Sequence, residues 1–264
     1  MQLPVRFPKW LESLQSTGRY TFTREEADQA LQISPNALKV ALRRLVSKGR
    51  IIAPRRGFYV IVPLEYAATG TLPADWFVDA LMKHRGKPYY VGLLSAAELH
   101  GAAHQRPQEF QVVTTVAMRP VVVKRTRIRF FVKSQLAGTP TGLTKTATGT
   151  IPVSTPEATA FDLVRYASRV GGLDHVATVL VELSEEIKPK PLLLAAQSEP
   201  DRAIVQRAGY LIEKFGSRAL TGPLEKWLSA QDPGFVPLRA ERHWKGPKDE
   251  KWRLILNEEV EPDL

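Results

Sequence analysis

Asn36, Lys39, Val40, Arg43 and Ser47 lie at the spacing that lines them along one side of an α-helix, in the stretch "SPNALKVALRRLVSKGRI" at residues 34–51. What that side offers is hydrogen-bond donation from a carboxamide and two cations, with one small apolar residue among them. A carboxamide matches the donor and acceptor pair on an adenine edge, and an ammonium or guanidinium matches the two acceptors on a guanine edge. Asn36, Lys39 and Arg43 are therefore candidate base-reading residues, and Ser34 and Val40 belong to the same expected contact surface. Arg44, at the border of the opposite face, and Arg50, Arg55 and Arg56 further on are expected to hold phosphate, which fixes register without reading sequence.

A helix can aim such a face outward only if its other face is anchored. Ala37, Leu38, Ala41, Leu42 and Leu45 supply that anchor, an apolar stripe predicted to face a core. Ser34 followed by Pro35 is an N-cap with proline in the first turn. Upstream, "PKWLESLQSTG" predicts a short helix stopped at Gly18, and "RYTF" a brief strand. In "TREEADQALQIS", Thr23 and Glu26 form a capping box for a second helix ending near Leu31. Downstream, "RIIAP" and "GFYVIV" predict a hairpin with Arg55, Arg56 and Gly57 at its tip. Helix, strand, helix, turn, helix and two-stranded wing is the winged helix-turn-helix order. In that geometry the second helix of the motif enters a major groove while the wing meets the backbone. A solvated charged face is the commonplace alternative for any basic helix, and it is the surrounding order of elements that favours DNA.

The charge distribution agrees. The 264-residue chain carries a formal net charge of +10, of which residues 1–70 supply +6 from eleven Lys or Arg against five Asp or Glu. Such an excess favours a polyanionic partner. A second basic run, "RPVVVKRTRIRFFVK" at 119–133, holds six cations and no acid. Strand alternation would put Arg125, Arg127 and Arg129 on one face and Ile128 and Phe130 on the other. Lys124, Arg125, Arg127 and Arg129 are a candidate second contact. A solvent-facing hairpin, a DNA-backbone contact and a dock for an RNA-handling partner all fit this run.

Signals for catalysis are weak. Without cysteine there is no disulfide, no thiolate nucleophile and no cysteine-ligated metal. His100 and His104 are four apart, but the intervening residues open with the helix-ending Gly101. Glu186 and Lys188 have the E-x-K form of restriction-type nucleases, yet they end the helix-like "VATVLVELSEE" rather than sitting on a strand. No phosphate-binding glycine loop or nucleophile elbow is present. Neither catalytic residues nor metal or cofactor sites are expected. The N-terminal residues lack the apolar run of a signal peptide, and no stretch of about 18 apolar residues predicts a membrane span, so a cytoplasmic location is expected.

Beyond "EYAATGTLP" at 65–73, read as a linker, helix and strand periods mix. "ADWFVDALMKH", "GLLSAAELHG" and "TPEATAFDLVRYASRV" are helical, the last capped by Ser154 or Thr155. "EFQVVTTVAM" and the basic run are strand-like, residues 173–231 are mostly helical, and "WRLIL" near the end is strand-like. Leu94, Ala97, Leu99 and the apolar positions of "AFDLV" read as core, and Asp162 among them as a satisfied buried carboxylate. The predicted class is α+β: a winged helix-turn-helix domain at 1–71 and a mixed α/β domain at 72–264.

The winged helix followed by "PYYVGLLSAAELHGAAHQRPQEFQVVTT", "IPVSTPEATAFDLV", "VQRAGYLIEKFG" and "KWRLILNEEVEPDL" resembles the AbiEi-type antitoxins of type IV toxin-antitoxin systems over most of the chain. The resemblance implies a winged helix that represses the operon's own promoter at inverted repeats, contacting DNA through residues 34–48 and 55–57. It also implies a C-terminal domain that counteracts a cognate nucleotidyltransferase toxin without catalytic residues, and it leaves open whether that involves stable contact with the toxin and whether two copies pair only on the DNA. A stand-alone ligand-sensing repressor and a restriction-type endonuclease are the rival functions.

Overall fold

A computed structural model describes residues 6–102 and 107–262; the expectations placed on the first five residues and on His104 lie outside it. The first helix, α1 (Phe7–Ser16), has proline in its first turn and ends where the Gly18 amide donates to the Gln15 carbonyl. Strand β1 (Thr21–Thr23) leads into α2 (Arg24–Leu31), whose start is the predicted capping box: the Glu26 amide donates to Thr23 Oγ1, and the Thr23 amide donates back to the Glu26 carboxylate. After a short turn, α3 (Pro35–Ser47) begins under Ser34, whose Oγ accepts from the Ala37 amide. Strands β2 (Ile51–Arg55) and β3 (Phe58–Ile61) form the wing, and β1 adds to it in the order β1-β3-β2.

The second half is built on a six-stranded mixed sheet, order β6-β7-β5-β4-β9-β8. Its strands are β4 (Tyr89–Val91), β5 (Phe110–Thr114), β6 (Val121–Val123), β7 (Thr126–Val132), β8 (Thr141–Thr146) and β9 (Gly149–Ser154). Helices α4 (Val78–Arg85) and α5 (Leu93–Leu99) flank β4, and α6 (Pro156–Arg165) follows β9 under a Thr155 cap. Then come α7 (Gly172–Leu183), α8 (Pro189–Gln197), α9 (Arg202–Leu211), which runs into a π-helical turn, and α10 (Arg218–Ser229). Short strands β10 (Val236–Pro237), β11 (Lys248–Asp249) and β12 (Leu254–Ile255) form a third sheet. Among the described residues no helix is long and apolar enough to cross a membrane.

Strand alternation gives the large sheet two apolar faces. Tyr90, Val113 and Phe131 enter the core shared with the helices from α5 to α10. Their neighbours Val91, Val112 and Phe130 point the other way and meet Leu72, Phe77, Val78, Leu81 and Met82. Ile52, Phe58, Val60 and Val62 from the wing lie in that same second layer. The wing therefore packs on the central sheet through its inner face. The stretch predicted as a linker is in part core: Thr71 and Leu72 are buried, because the chain must cross this layer between wing and sheet.

Two expected core positions fall outside. Ala37 is exposed, since it sits in the first turn of α3, and the stripe that meets the small N-terminal core is Leu38, Leu42 and Leu45. Leu99 is exposed at the last turn of α5, while Ala97 is buried as expected.

Burial in the layer between wing and sheet makes Phe58 a test of the shared face. Phe58→Ala is expected to destabilise the whole chain by about 3–5 kcal/mol in urea unfolding, and Val40→Ala on the exposed side of α3 to stay within about 0.5 kcal/mol. Equal effects of the two substitutions would show that the wing is not seated on the sheet.

Candidate nucleic-acid interface

With Leu38 and Leu42 buried, the helical repeat turns Asn36, Lys39, Val40, Arg43 and Ser47 outward, and all five are exposed. Ser34 is exposed too, its hydroxyl occupied as the cap. Arg44 is exposed rather than straddling the core boundary, and Arg50 is exposed just before β2. The outer face of α3 is thus a row of exposed polar groups in which Asn36, Lys39 and Arg43 point outward while the Ser47 hydroxyl donates to the Arg44 carbonyl at 2.9 Å, with Val40 supplying a methyl-sized apolar contact of the kind a thymine methyl accepts.

Beside this face runs an open cleft lined by Arg24, Lys39, Leu42, Arg43, Val46, Ser47, Ala53 and Tyr59. Arg24 and Tyr59 were invisible to a reading of the helix alone, because they arrive from α2 and β3. The Arg24 amide donates to the Gly57 carbonyl at 2.8 Å, which ties the start of α2 to the wing turn. Tyr59 stacks on Phe22 with ring centroids 5.2 Å apart. Both are held by local structure, so the cleft is a preformed continuation of the α3 face. The only sequence signal for Arg24 is its place at the head of a capped helix.

The wing tip divides the labour expected of it. Arg56 is exposed. Arg55 is half-buried: Nη1 donates to the Pro120 carbonyl at 3.4 Å and to that of Pro54 at 3.2 Å, and Nη2 donates to the Arg119 carbonyl. Burial, with Arg85 and Arg119 close by, holds its pKa below the usual guanidinium range. Arg55 thus fastens the wing to the turn before β6 as well as contributing charge.

The second basic run is not drawn together with α3 into one cluster. Lys124 and Arg125 are exposed in the β6–β7 turn, Lys124 with a φ of 54°. Arg127 and Arg129 share Glu109 at 3.5 and 3.6 Å, so an acid from outside the run offsets part of its charge. Arg129 also donates to the Arg169 carbonyl at 3.3 Å and lies over Phe131.

Lys133, the last cation of that run, turns inward. Its Nζ lies 3.0 Å from Asp162 Oδ1 and 3.4 Å from Glu199 Oε2, and all three residues are buried. Tyr90 donates to Asp162 Oδ2 at 2.6 Å, and Arg165 pairs with Glu199. Burial pushes the Asp162 carboxyl upward against the opposing pull of Lys133 and Tyr90. With each charge answered, the network stitches the end of β7 to α6 and to the turn before α9. Among the described residues no group of three or more His, Cys, Asp or Glu is placed to hold a metal. His100 donates from Nε2 to the Ser154 carbonyl at 2.7 Å, and Glu186 and Lys188 lie in the turn between α7 and α8, off any strand.

The transcriptional-regulator model described as "Transcriptional regulator, AbiEi antitoxin" matches residues 11–62, and the model described as "AbiEi antitoxin C-terminal domain" matches residues 90–214. Together they span about two thirds of the chain. The crystal structure of the RV2827C protein from Mycobacterium tuberculosis is similar over 94% of this chain and 92% of that one, with a TM-score of 0.64 at 17% identity, a likeness of fold. No curated protein matches the chain.

Removing one member of the buried network strands a charge. Lys133→Ala is expected to lower unfolding stability by about 3–5 kcal/mol, whereas the apolar pair Lys133→Met with Asp162→Leu recovers most of it. Unchanged stability in Lys133→Ala would contradict a structural role for the network.

Proposed function

The chain belongs to the AbiEi-type antitoxin family, and from that premise we propose that it is a DNA-binding, non-enzymatic antitoxin that represses its own operon and counteracts the nucleotidyltransferase toxin of a type IV system. The observation that carries the DNA-binding part is the outer face of α3. Leu38 and Leu42 bury one side, so Asn36, Lys39 and Arg43 stand exposed on the other, beside Arg24 and Tyr59 of the cleft.

The mechanism is occlusion. Helix α3 docks in the major groove of a promoter half-site. Asn36 addresses an adenine edge, and Lys39 or Arg43 a guanine edge. Arg44, Arg50 and Arg56 take phosphates along the flanks, which orients the helix without reading sequence. Arg55 acts mainly through the wing, holding its tip against the turn at Arg119. Two copies on an inverted repeat cover the promoter and exclude polymerase. The second domain, residues 72–264, carries the antitoxin role, which requires no catalytic group.

Base readers and phosphate contacts should part in titrations of promoter DNA against scrambled duplex. Asn36→Ala and Arg43→Ala are each expected to cost roughly 1–3 kcal/mol on the promoter and little on scrambled DNA. Arg56→Ala should weaken binding to both and make the salt dependence shallower by about one charge. Equal losses on both duplexes for Asn36→Ala and Arg43→Ala would refute base readout. Co-expression with a nucleotidyltransferase encoded beside the gene tests the antitoxin role: growth is expected to recover with the full chain, and failure to recover contradicts that role.

A further inference from the structure

At the far end of the chain from α3, the β10-β12-β11 sheet supports a loop at residues 240–247. Side-chain and backbone bonds hold this loop in shape. Asn257 Oδ1 accepts from the Arg239 amide at 2.9 Å, while its Nδ2 donates to the carbonyls of Arg239 and His243 at 3.0 and 2.8 Å. Gly246 adopts a φ of +158°, and a Cβ there would lie 2.4 Å from the Leu256 carbonyl oxygen, so the close approach of the loop to the strand needs glycine.

On this loop Trp244 is 63% exposed, the largest side chain among the exposed hydrophobics. A lone exposed aliphatic residue needs no explanation, but a tryptophan held out on a built loop does. Lys245, the next residue, and Lys248, at the start of β11, are exposed, and neither forms an ion pair with a carboxylate among the described residues. The ammonium of Lys248 sits 4.7 Å from the ring centre of Phe235, and the guanidinium of Arg253 5.3 Å from it. Glu258 is engaged by Arg239, Glu250 by Arg253 and Asp249 by the Trp252 amide, while Glu241 on the loop itself is exposed, 3.9 Å from Arg239, and is the acid a nucleic-acid strand would have to pass.

We propose that this surface binds single-stranded nucleic acid, with Trp244 as the platform on which a base stacks and Lys245 and Lys248 as phosphate contacts. A protein partner would need an apolar surround that seals water from the anchor. Here the neighbours from 241 to 248 are exposed and mostly polar or charged. A flat base face with a phosphate on either side requires only an open ring flanked by unpaired cations. Duplex DNA keeps its bases stacked internally, so such a platform discriminates in favour of a single strand. The site shares no residue with the α3 face and does not depend on the operator reading.

The test uses the full chain and fluorescently labelled 12-nucleotide RNA and DNA of one mixed sequence, with the matching DNA duplex as a third arm, followed by anisotropy at low and moderate salt. Binding to at least one single strand is expected, weakened at least about fivefold by Trp244→Ala and largely kept by Trp244→Phe. The double substitution Lys245→Gln with Lys248→Gln should make the salt dependence shallower. The two single-stranded arms tell RNA from DNA. The proposal is overturned if neither single strand binds, if Trp244→Ala binds as tightly as the natural chain, or if the Trp244-dependent binding is confined to duplex.

Discussion

The inner face of the wing and one face of the central sheet bury each other, and most of what this molecule presents to the outside follows from that contact. Ile52, Phe58, Val60 and Val62 cannot reach water without exposing Leu72, Phe77 and Leu81 as well. Each such side chain contributes about 1.5–3 kcal/mol when fully buried, so the layer resists rearrangement as a unit. The wing in turn fixes the start of α2 through the Arg24 amide, and the small core around Leu38 and Leu42 fixes α3. The helix face proposed to meet DNA is therefore oriented by a contact made with the other half of the chain.

The same cation type does different work according to what surrounds it. Arg43 and Arg56 are exposed and form no ion pair among the described residues, which suits the phosphate and base contacts proposed for them. Arg55 spends its donors on main-chain carbonyls across the wing contact. Lys133 is wholly inside, where losing one partner would leave a bare charge in a low-dielectric setting. A count of cations along a basic run is thus a poor guide by itself, since Lys133 is cancelled by buried carboxylates.

What the sequence revealed, and what it hid, divides by distance along the chain. The capping box at Thr23 and Glu26, the Ser34 cap, the wing hairpin and the alternation at Arg127 to Phe130 are local patterns, and each is found as read. Family resemblance likewise rested on ordered local motifs, and the matched models agree with it. Strands β8 and β9 went unread because β8 is a threonine-rich edge strand with little apolar alternation. The pairing of β4 with β9 joins residues more than sixty apart, which no local period encodes. The packed linker, the placement of Arg24 and Tyr59 beside α3, and the meeting of Lys133 with Asp162 and Glu199 are long-range facts of the same kind. Ala37 shows the limit of a helical wheel: the wheel gives the side but not how far along the helix the core extends.

The central claim is that α3 and the wing face DNA while the sheet carries them. Amide hydrogen exchange of the full chain, with and without a duplex bearing its own promoter, measures this directly. The account predicts slowed exchange at residues 34–47 and 55–59 and little change along β5 and β9. Protection centred on the sheet, with α3 unaffected, would contradict it.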